Sequence, residues 1–64
     1  MEIDSEIDRI QEFVNKGNFH AAINIALSAL NECHRNENQD GVDQFLEIIN
    51  GIVQTLSERF GRQE

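Results

Sequence analysis

Residues 13–33 read FVNKGNFHAAINIALSALNEC, and this stretch decides the fold. It contains a helix-stop signal at Lys16 and Gly17, followed by Asn18, a residue type that caps helix starts. The apolar seam that follows advances in steps of four and three residues, which indicates a helix: Phe19, Ile23, Ala26, Leu30 and Cys33. A flanking line widens the apolar arc to roughly 200° through Ala22, Ile25 and Ala29. Because one neighbour cannot cover so wide an arc, the stretch predicts a middle helix packed between two others.

The segments on both sides of this stretch have the same helical spacing. The preceding segment has apolar residues at Ile3, Ile7, Ile10 and Val14. A polar loop at 35–40, RNENQD, offers N-cap candidates at Asn36, Asn38 and Asp40. The following segment has apolar residues at Val42, Phe45, Leu46, Ile49, Ile52, Val53, Leu56 and Phe60. We therefore predict an all-α fold, a small three-helix bundle with helices at about 3–16, 18–35 and 40–60 in a single helical domain, 1–64.

Length and charge narrow the class of protein. A chain of 64 residues forms one domain, and its single cysteine excludes an internal disulfide. Twelve acidic residues stand against five basic ones, for a net charge of −7. This balance argues against direct nucleic-acid binding and against binding to an anionic membrane, which both need clustered Lys and Arg. It is compatible with a basic protein partner, with a surface that imitates nucleic acid, or simply with solubility.

The sequence also predicts a cytoplasmic location. Residues 1–12 are acidic and no signal-peptide core follows them. The most apolar run, 19–30, is far shorter than the roughly 20 residues that span a bilayer. A single reduced cysteine, Cys33, fits the same compartment.

Three side chains are candidates for metal binding or nucleophilic chemistry: His20, Cys33 and His34. On one helix His20 and His34 are roughly 21 Å apart, so they cannot share a metal ion. Cys33 and His34 are adjacent and point away from each other, which excludes a nucleophile–base pair. We interpret Cys33 as a core residue and both histidines as surface residues. With four isolated glycines and no phosphate-binding loop, we expect no enzyme activity, no metal and no cofactor.

The middle of the chain resembles a tetratricopeptide unit. The resemblance lies in residues 13–30 and consists of Phe13, Gly17-Asn18-Phe19, Ala22-Ile23 and Ala29-Leu30. The three-helix microtubule-interacting-and-transport domain has a similar Gly-Asn-aromatic turn and a similar order of elements. Ala26 departs from the bulky aromatic of the tetratricopeptide pattern, and His34 departs from its closing Pro. The resemblance implies a helical hairpin in which the two helices cross closely at Ala22.

A second resemblance is to the Rop family of small RNA-binding helical hairpins. The length of the chain is similar, and two segments look alike, 30–32 before the loop and 59–61 at the end. That family binds RNA as a dimer through basic residues of its first helix. Here the first helical segment is acidic, which argues against transferring the RNA-binding activity to this chain.

These observations favour a small acidic protein–protein interaction module that acts as a regulator, adaptor or inhibitor. The alternatives are an acidic mimic that blocks a nucleic-acid-binding protein, and a Rop-like dimeric RNA regulator. Leu27 and Ile25 lie at the two edges of the middle helix. Either the first and third helices cover these side chains, or they remain exposed and predict an association seam and a homodimer. The predicted partner-binding residues are acids of the first helix and a partly exposed edge of the third: Glu2, Asp4, Asp8, Glu12, Ile48 and Ile52.

Overall fold

The computed structural model describes residues 2–59, which form three α-helices and no strand. Helix α1 is Ile3–Asn15, α2 is Phe19–Arg35 and α3 is Gln39–Arg59. The predicted all-α three-helix bundle is confirmed, and each described helix end lies within one residue of its expected position. The expected end of the third helix at residue 60 lies outside the described residues.

The turn between α1 and α2 forms where the helix-stop signal predicts it. Gly17 has a φ of +80°, a left-handed conformation that glycine adopts without strain. Its N–H donates to the carbonyl oxygen of Val14 at 2.9 Å, and the N–H of Asn18 donates to that of Phe13 at 2.8 Å. The side chain of Asn18 then accepts the N–H of Ala21 at 3.3 Å and caps α2. Together these bonds satisfy backbone groups at both helix ends.

The turn between α2 and α3 repeats this arrangement with a different residue at its centre. Glu37 takes the left-handed position with a φ of 58°, and its N–H donates to the carbonyl oxygen of His34 at 3.1 Å. The N–H of Asn38 donates to the carbonyl oxygen of Cys33 at 2.8 Å. The Asn38 side chain accepts the N–H of Gly41 at 3.2 Å, so Asn38 is the cap among the three candidates. A non-glycine residue in this conformation is strained.

Helix α2 is the middle helix of the bundle, as its wide apolar arc predicts. Helices α1 and α3 each pack along α2 and scarcely meet one another. The centre of the packed face of α2 consists of small residues, Ala22, Ala26 and Ala29, which are all buried. Small side chains let neighbouring helices approach closely, and the described part of the molecule measures only 13 Å in its thinnest dimension, against 39 and 24 Å.

Helices α2 and α3 form an antiparallel hairpin whose register is visible at both ends. Near the loop, the backbone of Gly41 lies directly against the Cys33 side chain, because a Cβ atom built on Gly41 would lie 2.6 Å from Cys33 Sγ. At the far end, the Arg59 guanidinium lies 5.6 Å from the centre of the Phe19 ring. Between these contacts Phe45 is completely buried and fills the hairpin interior.

The structure corrects the expected core of α3. Val42 and Phe45 are buried as expected, but Leu46 and Val53 are 47% and 51% exposed. Ile52, which was expected at a partly exposed edge, is only 5% exposed. The apolar arc of α3 is wider than the contact with α2 and α1, so part of that arc remains open to solvent.

Candidate functional site

The acidic residues predicted to bind a partner all lie on the surface of α1 or directly before it. Glu2, Asp4, Asp8 and Glu12 are all exposed. The carboxylate of Glu12 lies 3.9 Å from the Lys16 amine, in a pair that is well exposed on both sides. Exposed pairs of this kind contribute little to stability, so these acids remain accessible to another molecule.

The apolar part of the predicted site, Ile48 and Ile52, does not form an exposed edge. Both residues line an open groove between α1 and α3, together with Ile10 and Val14 of α1. Ile48 is partly buried, as expected, whereas the expectation of partial exposure is wrong for Ile52. The physical reason is that Ile52 belongs to the buried core, together with Ile10 of α1 and Ala22 and Ala26 of α2. The structure therefore does not bring the six predicted residues together into one surface.

A different set of apolar side chains is accessible to solvent. The large apolar residues that remain exposed in the described range are Leu27 at 45%, Leu46 at 47% and Val53 at 51%. Leu27 was identified from sequence as an edge residue of the middle helix, and its exposure confirms that expectation. The exposure of Leu46 and Val53 was not predicted, because their helical spacing is compatible both with the core face of α3 and with a solvent-exposed face beside it.

These three residues lie on the flank of the hairpin that faces away from α1. Grooves beside α1 are lined on α2 by Ile25, Ser28 and Glu32, and on α3 by Ile48, Gly51 and Thr55. These lining residues mark the side of each helix that borders α1. At about 100° of rotation per residue, Leu27, Leu46 and Val53 lie on the opposite flank of their helices.

The flank is a continuous apolar surface across the two helices. The antiparallel register places Leu27 of α2 at about the same height as Ile49 of α3, with Leu46 and Val53 one turn to either side. Partly buried residues join these side chains to the core beneath. We call this surface the apolar flank, and it comprises Ile23, Leu27, Leu30, Leu46, Ile49 and Val53.

The two edges of the apolar flank differ in charge. The edge along α2 carries the exposed side chains of His20 and His34. Arg35 lies two turns beyond Ser28 on the same face, toward the side that borders α1. The only acid within α2 is Glu32, which borders the groove beside α1. The edge along α3 carries the exposed acid Asp43. Glu47 lies one turn before Gly51, toward the side that borders α1. The α2 edge therefore carries imidazole side chains and no carboxylate, and the α3 edge carries a carboxylate.

The three side chains considered for metal binding or nucleophilic chemistry occupy the positions expected of core and surface residues. Cys33 is 1% exposed and packs in the core, and His20 and His34 are both exposed, as expected. Residues 2–59 contain no group of three or more His, Cys, Asp or Glu side chains that could hold a metal ion.

Comparison with known proteins identifies no relative. No protein-family model, curated protein or solved structure matches the chain. Within the described range, none of the helices combines the length and the apolar composition that crossing a membrane requires. Residues 2–59 define a small all-α three-helix protein with an apolar flank that is open to solvent.

Proposed function

We propose that the chain is a small, acidic, non-enzymatic protein–protein interaction module that works as a regulator, adaptor or inhibitor. In this proposal the apolar flank is the binding surface. The observation that carries it is the half-exposure of Leu27, Leu46 and Val53 on one side of a 64-residue chain. Contiguous apolar surface that remains accessible to solvent is typical of contact sites for other proteins.

The energetics of the apolar flank support this role. Fully burying a Leu or Val side chain contributes about 1.5–3 kcal/mol, so covering a half-exposed one contributes roughly 1 kcal/mol. The flank is also preorganised, because its side chains project from helices whose inner faces are fixed by buried residues such as Ala26 and Phe45. A rigid surface loses little conformational entropy on binding, so more of this gain appears as affinity.

The acidic surface of α1 favours partners that carry basic residues, but it is not a second binding site in this proposal. Exposed carboxylates at Asp4 and Asp8 attract basic partners and accelerate their approach. The alternative function, imitation of nucleic acid, has weaker support, since bases interrupt the line of acids on α1. Arg9 lies 3.6 Å from Glu6, and Lys16 lies 3.9 Å from Glu12. A phosphate mimic would present carboxylates without such neighbouring cations.

Site-specific photo-crosslinking in source cells tests the proposed surface. Photoreactive benzoylphenylalanine replaces Leu46 or Val53 in one pair of variants, and the adjacent exposed residues Glu47 or Gln54 in the matched pair. We expect strong protein adducts from the first pair and weak ones from the second. Equal yields from both pairs, or no adducts from either, would contradict the proposal.

The salt dependence of partner binding distinguishes binding through the apolar flank from imitation of nucleic acid. Binding through the apolar flank should hold or tighten as salt rises from about 50 to 200 mM, because burial of apolar surface is not screened. Binding that replaces several phosphate contacts should weaken by orders of magnitude over the same range. A steep loss of crosslinking at Leu46 with added salt would favour the mimic.

A further inference from the structure

We infer that the groove between α1 and α3 binds a basic amphipathic helix of another protein. Its lining comes from α1 and α3 and includes Ile10, Val14, Ile48 and Ile52. This surface is separate from the apolar flank, which lies on the other side of the α2–α3 hairpin. The inference therefore goes beyond the proposed function, and its failure would leave that function untouched.

The groove has the size and the surface that a helix needs. It is open because α1 and α3 pack on α2 and scarcely meet one another. It encloses about 320 Å³, and its lining along α3 runs from Ile48 to Thr55, which is roughly two turns of helix. Val14 and Ile48 are only partly buried there. An amphipathic helix that laid its apolar stripe in the groove would cover both side chains.

Gly51 lies in the wall of this groove, and the fold gives no reason for it to be glycine. It is an interior residue of α3, where glycine costs stability relative to alanine. Its φ is not positive, and a Cβ built on it would meet nothing within 4 Å. An exposed glycine in an apolar groove does, however, let the backbone of a bound helix approach closely.

Both edges of the groove are acidic. Asp8 lies one turn before Gln11 on α1, and Glu47 lies one turn before Gly51 on α3. Since α1 and α3 both run antiparallel to α2, these two carboxylates lie at similar heights on opposite edges. Two further exposed acids extend the same edges toward the helix N-termini, Asp4 on α1 and Asp40 on α3.

The basic side chains of the described residues are directed elsewhere. Arg9 lines a groove between α1 and α2, and Lys16 pairs with an acid on the outer face of α1. Arg35 belongs to α2. Arg59 lies one turn beyond Thr55, but its guanidinium lies 5.6 Å from the centre of the Phe19 ring of α2. The charge along the two edges of the groove is therefore negative.

The two central acids have no evident role in the stability of the chain. Asp8 and Glu47 lie beyond the first turns of their helices, where acidic residues are stabilised by the helix dipole. Within residues 2–59 neither forms an ion pair, in contrast to Glu6 and Glu12. Cations of a bound partner would give both carboxylates the partners that they lack.

These features specify the chemistry of the occupant. It must present an apolar stripe with basic residues on both sides, which describes a basic amphipathic helix. This chain contains no such helix, because α1 and α3 each carry more acids than bases and the one permanent cation of α2 is Arg35. A second copy would add acids to an acidic groove, so the occupant is a segment of another protein.

A synthetic peptide tests the inference by isothermal titration calorimetry. The probe is a helix of about 14 residues with Leu at alternating steps of three and four residues and Lys on both sides of that stripe. We expect saturable binding, and a loss of at least about tenfold in affinity when the same residues are scrambled so that the stripe is broken. No saturable binding at about 1 mM peptide would overturn the inference.

Charge reversal tests the acidic edges. The double variant Asp8→Lys, Glu47→Lys should weaken peptide binding at least about fivefold, because two attractions become repulsions. The control Glu12→Lys, Asp43→Lys changes the net charge by the same amount at exposed positions outside the groove and should cost less than about threefold. Circular dichroism checks that all variants keep their helices. Equal losses in the two double variants would show attraction to net charge alone and would overturn the inference.

Gly51 provides the test of close approach. Gly51→Gln places a side chain in the groove and should weaken binding at least about tenfold, whereas Asn50→Gln, at the neighbouring exposed residue, should change it by less than about twofold. In nuclear magnetic resonance spectra the peptide should shift the amide signals of Gly51 and Thr55. Shifts confined to Leu27 and Leu46 would place the peptide on the apolar flank and overturn the inference.

Discussion

Two glycines of α3 should respond in opposite directions to the same substitution by alanine. Gly41 is buried against α2 at the loop end of the hairpin, and Gly51 is exposed beside the groove between α1 and α3. Both lie within α3, but Gly41 is in the first turn, where the preference of a helix for alanine over glycine is weaker than at the interior position of Gly51. The sign of the effect at Gly41 therefore reports the close approach of α2 and α3 there.

The geometry at each glycine sets the expected magnitude. A Cβ at Gly41 would lie 2.6 Å from Cys33 Sγ and 2.9 Å from Asn38 Nδ2, whereas ordinary contacts are about 3.5–4.0 Å. Overpacking costs about 1–3 kcal/mol, and the helix preference for alanine offsets about 0.5–1 kcal/mol of that. We expect Gly41→Ala to lower the free energy of unfolding by about 1–2 kcal/mol. At Gly51 a Cβ meets nothing within 4 Å, so Gly51→Ala should raise it by about 0.5–1 kcal/mol.

Thermal unfolding followed by circular dichroism measures this contrast. In a domain of this size 1 kcal/mol shifts the Tm by about 4–8 °C, so the two variants should differ by roughly 10 °C or more. All samples need the same protein concentration, because the Tm of any protein that associates depends on concentration. Urea unfolding at 25 °C provides the free energies themselves.

The result that would refute this reasoning is a gain of stability in both variants. It would mean that Cys33 Sγ does not lie against Gly41 and that the hairpin ends are further apart than described. A double variant sharpens the test, because Cys33→Ala removes the sulfur that the new Cβ would meet. We expect Gly41→Ala to cost less in the Cys33→Ala background, with a coupling of about 1 kcal/mol.

Three further predictions concern stability and are checked by the same unfolding measurements. Ala22→Leu should destabilise by about 1–3 kcal/mol, because Ala22 is fully buried between helices. Ala21→Leu, at a partly exposed position, should change stability by less than about 0.5 kcal/mol. Equal effects of the two substitutions would show that α1 and α2 do not cross at Ala22. Glu37→Gly should stabilise by about 0.5–1 kcal/mol, since it relieves the strain of a positive φ, and a loss of stability would contradict that conformation. Asn38→Ala should cost about 1 kcal/mol by removing the cap of α3, and an unchanged Tm would show that another group caps the helix.

The helices and the first turn were predictable because the signals that specify them are local. Apolar spacing defines each helix, and Gly17 and Asn18 carry the backbone freedom and the capping oxygen that the first turn uses. The second turn was less clear, because three residues could serve as the cap and no glycine marks the left-handed position that Glu37 occupies. The choice of Asn38 depends on where the chain reverses.

The candidate site was predicted only in part. The exposure of the α1 acids and of Leu27 follows from their positions on the helix surface. The exposure of Leu46 and Val53 and the burial of Ile52 could not be derived, because all three belong to one wide apolar arc. Which part of such an arc is covered depends on how α1 and α2 cross α3, and helical periodicity contains no information on crossing.

By itself, then, the amino-acid sequence determined the all-α class, the three helices, the central place of α2 and the negative surface of α1, because spacing, capping and charge act within a few residues. Only the tertiary structure decided which apolar residues remain open to solvent and that Gly41 lies against the Cys33 side chain. The apolar flank exists because α1 packs on one side of the α2–α3 hairpin and leaves the other side uncovered. Contacts between residues distant in sequence create that asymmetry, so no local pattern reveals it.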